Sequence, residues 1–410
     1  MWPQLYEWIA LFIKWFHVIC GVAWIGASFY FTWLDNSLDT PPKWKKDKGI
    51  KGDLWAVHGG GFYEVAKYQV GPEQMPEKLH WFKWEAYTTW LTGTALLIWM
   101  YYFNAQAYLI DPRIMELTSI QAVGIGLGGV LAGVICYELL LRSPLSSSKS
   151  LFIAAMILTG ALFFYGFTQV FSGRGAFIHM GVLIGSIMVF NVFHKIIPGQ
   201  RKMVAQVAAG EQVDPAPGLE GKRRSIHNNY FTLPVIFLMI SNHYPMIYQH
   251  QHNWLVALFI MLISAWIRHY FNLKHAGKTQ PWVLASGSAM MLALAVVVSW
   301  PTAKNSIEES VPVASDSSPN QSQPNMATSQ HQAEVMTIIQ ERCSSCHSQN
   351  PTDDVFTVAP AGAAFDDWRD IERWSARIVA RTVESADMPF MNKTGMTEGE
   401  RAMVKELLKP

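Results

Sequence analysis

The feature that most restricts this chain is a succession of long apolar segments, each near the length needed to cross a bilayer. An α-helix rises about 1.5 Å per residue, so roughly 20 apolar residues span the hydrocarbon core. Eight stretches meet that requirement, at residues 7–34, 82–103, 120–141, 150–170, 175–198, 229–247, 253–271 and 280–300. Half of the residues are hydrophobic and only 15% are charged, too apolar a balance for an ordinary soluble enzyme. The 17 Trp and 14 Tyr suit a protein with two membrane–water interfaces, where amphipathic rings settle. A formal net charge of +1 carries no footprint of a nucleic-acid partner. The first stretch is too long and too rich in Trp for a signal peptide, so it is expected to remain as a helix.

Charge in the loops sets the expected orientation. Loops 35–81, 142–149, 199–228 and 272–279 hold sixteen Lys or Arg, whereas loops 104–119, 171–174 and 248–252 hold two. The positive-inside rule places the first set in the cytoplasm and both termini outside. Residues 301–330, rich in Ser, Pro, Asn and Gln, cannot bury enough apolar surface to fold and read as a flexible tether. The expected division is therefore 1–300 in the membrane, 301–330 as linker and 331–410 as an extracytoplasmic domain.

That last domain contains Cys343-Ser344-Ser345-Cys346-His347, the C-x-x-C-H pattern of covalent c-type haem attachment. Two thioethers a helical turn apart clamp the porphyrin edge, and the adjacent His offers iron an axial nitrogen. A redox dithiol or half of a zinc site is the competing reading, but zinc needs a second Cys or His pair nearby. Ala333–Arg342 reads as a helix leading into the motif and Thr397–Leu408 as a closing helix with a Thr cap. The segment Ser385-Ala386-Asp387-Met388-Pro389-Phe390-Met391 resembles the Met-Pro loop of class I cytochromes c, which use Met as second axial ligand. Met388 is the first choice, then Met391, then Met396. Cys20 and Cys136, alone in apolar runs, read as small buried hydrophobes.

Ionisable groups at membrane depth are costly and commonly face a cofactor or cavity. His17, His179 and His243 share the expected outer half and suggest axial ligands of a b-type haem; the plainer alternative is that each bonds a neighbouring carbonyl. Arg174 could meet a propionate or an anionic substrate, or simply extend its charge to the interface. His194, His227, Arg268 and His269 lie at inner span ends, with His58 and His80 in or beside the large cytoplasmic loop. The segment Arg223-Arg224-Ser225-Ile226-His227-Asn228-Asn229-Tyr230 concentrates more donors and acceptors than helix capping needs. Asn191 and Asn242 add amides within spans, where an unpaired amide is expensive. Gly59-Gly60-Gly61 follows no evident strand and precedes no phosphate-binding lysine, so a phosphate site there is a weak reading.

Several of these segments together resemble the membrane-bound cytochrome c urate oxidases, in which an eight-helix domain is fused to a C-terminal cytochrome c. The resemblance rests on Trp15-Phe16-His17-Val18 with Trp24-Ile25-Gly26, on Gly175-Ala176-Phe177-Ile178-His179-Met180-Gly181 running to Asn191-Val192-Phe193, on Ser225–Tyr230 running to Asn242-His243, and on Met388-Pro389 with Asn392–Thr397. The first span is also similar to that of membrane protoporphyrinogen oxidases, where an equivalent His serves a haem-linked function. What the resemblance implies is oxidation of urate to 5-hydroxyisourate, with electrons leaving through the cytochrome to a downstream cytochrome c or terminal oxidase. The expected fold is all-α: an eight-helix transmembrane bundle plus a small class I cytochrome c domain, in a bacterial inner membrane with the cytochrome in the periplasm. The expected cofactors are one covalent haem c and a b-type haem in the bundle. Catalytic candidates are His227, Asn228, Asn229, Arg268 and Arg174; cofactor candidates are Cys343, Cys346, His347, Met388, His17, His179 and His243. An outer site near Arg174, His179 and His243 would need one short electron hop, whereas an inner one near His227, Asn228 and Arg268 would need a relay across roughly 30 Å of hydrocarbon. A quinol-to-cytochrome carrier and a urate transporter with an appended cytochrome are the alternatives from other functional classes.

Overall fold

A computed structural model of the chain describes residues 2–300, 326–353, 359–384, 386 and 388–408; positions 301–325 of the expected tether lie outside them. The chain divides into two compact units, Met1–Met291 and Leu292–Pro410. In order along the chain come α1 (Trp2–Asn36), α2 (Lys43–Lys46), β1 (Ile50–His58), β2 (Gly61–Tyr68), α3 (Trp84–Leu96), α4 (Ala105–Tyr108), α5 (Ser119–Arg142), α6 (Lys149–Thr168), α7 (Gly173–Phe190) and α8 (Ile197–Ala208). Then follow α9 (Ala216–Ile240), α10 (Pro245–Tyr248), α11 (Asn253–His275), α12 (Pro281–Ser299), α13 (Met326–Arg342), α14 (Trp368–Val379) and α15 (Glu398–Leu407).

Among the described residues six helical segments are long and apolar enough to cross a membrane: Trp8–Asn36, Ser119–Arg142, Lys149–Thr168, Gly173–Ala208, Asn253–His275 and Pro281–Ser299. The other two expected spans are helical but do not meet that measure. The 82–103 stretch is broken into 13 residues of α3 and a π-helical turn over Leu97–Tyr102. The 229–247 stretch is the apolar half of α9, whose first half carries Glu220, Lys222, Arg223 and Arg224, and it stops at Ile240. The stretch 199–228, expected as a cytoplasmic loop, is mostly helix, because α8 and α9 extend past the apolar segments they belong to.

The surfaces of α1, α5, α6 and α12 carry large exposed apolar side chains such as Trp15 (63%), Leu131 (62%), Leu162 (62%) and Val297 (70%). A contiguous apolar surface of that kind is untenable in water and natural against lipid. Helix α7 is the exception. Thirteen of its eighteen residues are buried, as expected of a helix that is apolar all round and enclosed by others. It packs against α3, α5, α6 and α9, and α9 in turn packs against α1, α8 and α11. Lipid tails are as apolar as leucine, so close packing must hold such helices together. Gly126, Gly129 and Gly133 on α5 provide it. A Cβ on Gly133 would fall 2.4 Å from Leu183 Cδ1, and one on Gly129 would fall 2.6 Å from Phe167 Cε1.

A π-helical turn over Asn191–Ile196 joins α7 to α8. Pro198 has no N–H to return to residue 194, and the widened turn absorbs that missing bond. The loop after α1 departs from the all-α expectation, since β1 and β2 pair as an antiparallel hairpin with Val57 opposite Phe62 and His58 opposite Gly61. Gly59 (φ +58°) and Gly60 (φ +79°) form the two-residue turn, which requires positive φ at both positions. The glycine run is thus a hairpin turn and not a phosphate loop. Lys45 is buried beneath the hairpin, where it pairs with Asp53 and Glu64.

In the second unit, α13 and α15 pack together over a core of Val335, Ile339, Ile371, Trp374, Met396 and Val404. Thr397 caps α15 in a capping box: its hydroxyl accepts from the Glu400 N–H, and Glu400 accepts from the Thr397 N–H. Glu400 also binds the Arg342 guanidinium, at 2.9 Å. The Thr397 backbone bond and then the Arg342 bond hold this carboxyl below its ordinary value of 4.5. Its stabilising contribution is therefore present above pH 4.5 and is lost as pH falls through the depressed value.

Two outcomes follow for stability. Gly133→Ala lowers the melting temperature of detergent-solubilised protein, whereas Gly128→Ala, with nothing within 4 Å of its added methyl, raises it slightly through helix propensity. Thr397→Ala costs the second unit about 1 kcal/mol, and the deficit of Glu400→Gln against the native chain shrinks on acidification below pH 4.5, both read by chemical denaturation.

Candidate functional site

The half of the bundle expected to face the cytoplasm holds two clusters of polar side chains, on either side of α9. The first centres on Arg224, which is 2% exposed. Its guanidinium grips the Glu138 carboxylate of α5, with Nη2–Oε2 at 3.1 Å, and its Nε donates to Glu220 at 2.7 Å. Nη1 also donates to Asn191 Oδ1 at 2.9 Å. The Asn191 amide, wholly buried at the start of the π turn, donates to the Tyr137 hydroxyl at 3.0 Å and to Asn228 Oδ1 at 2.9 Å. Tyr137 lies 2.9 Å from His227 Nδ1, and the His227 ring stacks on Phe152. Asn228 Nδ2 donates to the Met188 carbonyl at 3.0 Å. This cluster ties α5, the α7–α8 joint and α9 together, and its charges compensate one another inside the protein.

The second cluster faces the other way. Asn229, 2% exposed, accepts from Arg268 Nε at 3.2 Å and from Asn272 Nδ2 at 2.8 Å. Its own Nδ2 donates to Thr32 Oγ1 of α1 at 3.1 Å. Arg268, 4% exposed, sets its guanidinium carbon over the Phe29 ring, 3.7 Å from the ring centre. Among the described residues Arg268 makes no ion pair, and its Nη2, Asn272 Oδ1 and His275 Nδ1 are buried without a hydrogen-bond partner. Tyr230 and His269, beside the cluster, bond each other at 2.6 Å.

Of the five catalytic candidates from the sequence, the structure joins Asn229 with Arg268 and assigns His227 and Asn228 to the compensated Arg224 cluster. Arg174 is elsewhere, half-buried at the N-terminal end of α7, with Nε 3.2 Å from the Tyr101 hydroxyl and its guanidinium 4.9 Å above the Tyr108 ring. Along α9, Asn229 and His243 are separated by about 20 Å at 1.5 Å per residue. Glu138, Tyr137, Phe29, Thr32, Asn272 and His275 were missed. A lone acid inside the apolar α5 was a legible signal for Glu138, and Arg268, Asn272 and His275 recur at helical spacing. Nothing in the sequence pairs Phe29 or Thr32 with them.

The three outer histidines share no hydrogen bond or ring contact. His179 is fully buried; its Nδ1 donates to the Gly175 carbonyl at 2.8 Å, its Nε2 lies 3.2 Å from the Tyr102 hydroxyl, and its ring stacks on Phe171. A Cβ on Gly126 would stand 2.5 Å from that Nε2, so the α5 backbone covers the nitrogen an iron would need. His243 is exposed in a short 3-10 turn. His17 is half-buried and bonds the Thr89 carbonyl and the Thr92 hydroxyl through Nδ1, at 3.1 and 3.0 Å, which leaves its Nε2 uncommitted among the described residues. The donor set does not fit a haem clamped between His179 and a second histidine; it fits at most a single ligand at His17.

In the second unit α13 ends at Arg342 and the motif follows as successive turns, with the His347 N–H on the Cys343 carbonyl at 2.8 Å. His347 Nδ1 donates to the Ala363 carbonyl at 2.8 Å, and the ring stacks on Phe365 at 4.9 Å. That bond fixes the tautomer and leaves Nε2 as the ligating nitrogen. Burial pushes the Cys343 thiol up to about 12, the opposite of what a reactive dithiol requires. Among the described residues no three His, Cys, Asp or Glu side chains gather as a metal site, so zinc finds no second pair. The residues fit a c-type haem. Met388 is half-buried, its N–H on the Arg381 carbonyl at 3.1 Å and its carbonyl on Arg401 at 2.8 Å. Met396 is packed in the core beside Cys343, and the Met391 side chain lies outside the described residues.

Residues 3–299 match the family described as urate oxidase N-terminal. Comparison with curated proteins and with solved structures finds no match.

Removing one partner of a buried ion pair costs about 3–5 kcal/mol because the other charge is stranded. Glu138→Ala is therefore expected to destabilise the bundle strongly, and Glu138→Leu combined with Arg224→Met to recover most of the loss, as read by thermal denaturation in detergent.

Proposed function

The chain belongs to the urate oxidase N-terminal family, and from that premise we propose that it is a membrane-bound urate oxidase whose electrons leave through a haem c held by Cys343, Cys346 and His347. The family match over residues 3–299 supports urate as the substrate. What carries the electron-acceptor reading is His347, whose Nδ1 is already committed to Ala363. In this reading Met388 would help hold the haem, the second unit is a class I cytochrome c domain on the periplasmic side of a bacterial inner membrane, and α3 with its π turn and α9 complete eight spans.

The half-reaction balances as urate and water giving 5-hydroxyisourate, two protons and two electrons. A haem c held by Cys343, Cys346 and His347 would supply a one-electron acceptor, whose own acceptor would be a soluble cytochrome c or a terminal oxidase. The chain's own residues have three tasks. A cation must attract the urate monoanion into a dry site, amides must fix the ring edge, and an imidazole of near-neutral basicity must take a proton. The buried arginine, asparagines and histidines of the inner half supply those groups. Within the bundle, His17 is the histidine suited to ligate a b-type haem, since Thr92, which bonds it, also lines an apolar groove with Phe12, Phe16, Leu91 and Ala95.

The purified full-length protein, given urate without oxygen, is expected to develop the reduced absorption bands of a c-type haem in proportion to urate added. Reduction by quinol alone identifies a carrier, and urate uptake into vesicles without reduction identifies a transporter; either result rejects the proposal. The same spectra reveal any b-type haem, which His17→Ala then removes. Cys343→Ser with Cys346→Ser leaves no porphyrin on the acid–acetone-washed polypeptide.

A further inference from the structure

Two arginines are buried at the inner half of the same bundle, and the chain treats them differently. Arg224 has Glu138, Glu220 and Asn191 around its guanidinium. Arg268, equally buried, has one hydrogen bond, from Nε to Asn229, and an aromatic face. An unsatisfied buried polar group costs about 1–3 kcal/mol and a charged one more. Here three such atoms occur on one helix, at Arg268, Asn272 and His275, spaced four and three residues apart and so on one face of α11. Arg268 and Asn272 both bond the same oxygen of Asn229, which fixes them side by side, and His275 lies within electrostatic reach of Arg268.

We propose that Arg268, Asn272 and His275 of α11, with Asn229 of α9 and Phe29 and Thr32 of α1, form the binding pocket for the substrate anion at the cytoplasmic end of the bundle. The inference rests on the urate oxidase reading and deepens it by assigning the site and the membrane face. The free atoms define the ligand: a cationic donor at Arg268 Nη2, an acceptor at Asn272 Oδ1, and an imidazole nitrogen at His275 Nδ1. They match a flat, singly charged heterocycle with carbonyl oxygens and ring N–H groups along one edge. The array is preorganised. Phe29 holds the guanidinium plane, and Thr32 fixes the Asn229 amide so that its oxygen faces α11. At the outer end Arg174 already has a tyrosine hydroxyl and ring, and the unpartnered atoms there, Asn242 Oδ1 and Gln249 Nε2, are uncharged.

The test uses full-length protein carrying its haem, with equilibrium dialysis of labelled urate as the binding readout. Arg268→Gln is expected to weaken binding roughly ten- to hundredfold, the range for a lost charged hydrogen bond, while dithionite still reduces the haem fully. Arg268→Lys recovers part of the affinity, and Asn272→Ala loses several-fold. Unchanged affinity in Arg268→Gln, or loss in Arg174→Gln instead, overturns the assignment. A second measurement needs no variant: in sealed vesicles of known orientation, urate supplied at the cytoplasmic face reduces the haem, and reduction only from the outer face overturns it. Urate that binds at Arg268 but never reduces the haem leaves the pocket intact and rejects the oxidase reading.

Discussion

A bilayer core offers no water, so each polar group folded into it must find its partner within the protein. The bundle obeys that constraint almost everywhere. Tyr137, Asn191, Arg224 and Asn228 bond one another, and Glu138, Glu220 and the Met188 carbonyl take further donors of the set. His179 spends both ring nitrogens on Gly175 and Tyr102. Lys45, at the surface loop, is buried only because Asp53 and Glu64 meet it. Against such consistent compensation, the exceptions along α11 carry information. A chain that pairs one buried arginine with two carboxylates and leaves another with none has kept the second for a charge that arrives from outside.

Helix α9 organises the contrast. Asn228 and Asn229 are neighbours in sequence, yet successive helical positions are rotated by about 100°, so one amide enters the α7 side and the other the α1–α11 side. The compensated cluster fixes α9 against α5 and α7. Its rigidity then holds Asn229 against Arg268 and Asn272. In that sense Glu138, which touches nothing in the second cluster, is a positioning residue for it. The π turn at Asn191 serves the same arrangement: it meets the geometric demand of Pro198 and delivers a fully buried amide to the network.

The second unit solves a different problem. Three short helices enclose a modest core. Arg342 reaches from the end of α13 to Glu400 and the Thr394 carbonyl, closing the domain's first helix on its last. The Cys343–His347 segment sits at that junction, so the proposed thioether bonds would fasten a porphyrin where both helices meet. The bond that orients His347, to Ala363, comes from a loop sixteen residues away, and it decides which ring nitrogen the proposed haem would find free.

Hydropathy and charge counts alone established a membrane protein with a mostly helical fold, because the cost of exposing backbone to lipid leaves few other choices. The C-x-x-C-H spacing marked the candidate haem segment for the same reason: its chemistry is local. The capping box at Thr397 and Glu400 was equally local and equally legible. Tertiary structure decided what depends on which faces meet. It placed His227 and Asn228 in the Arg224 cluster, brought Phe29, Thr32, Asn272 and His275 to Arg268, committed both His179 nitrogens, and turned Gly59-Gly60 into a hairpin corner. Sequence records how often a polar residue recurs along one helix but not the rotation of that helix against its neighbours. Only packing fixes that rotation, and with it which buried charge is neutralised and which is left open to a ligand.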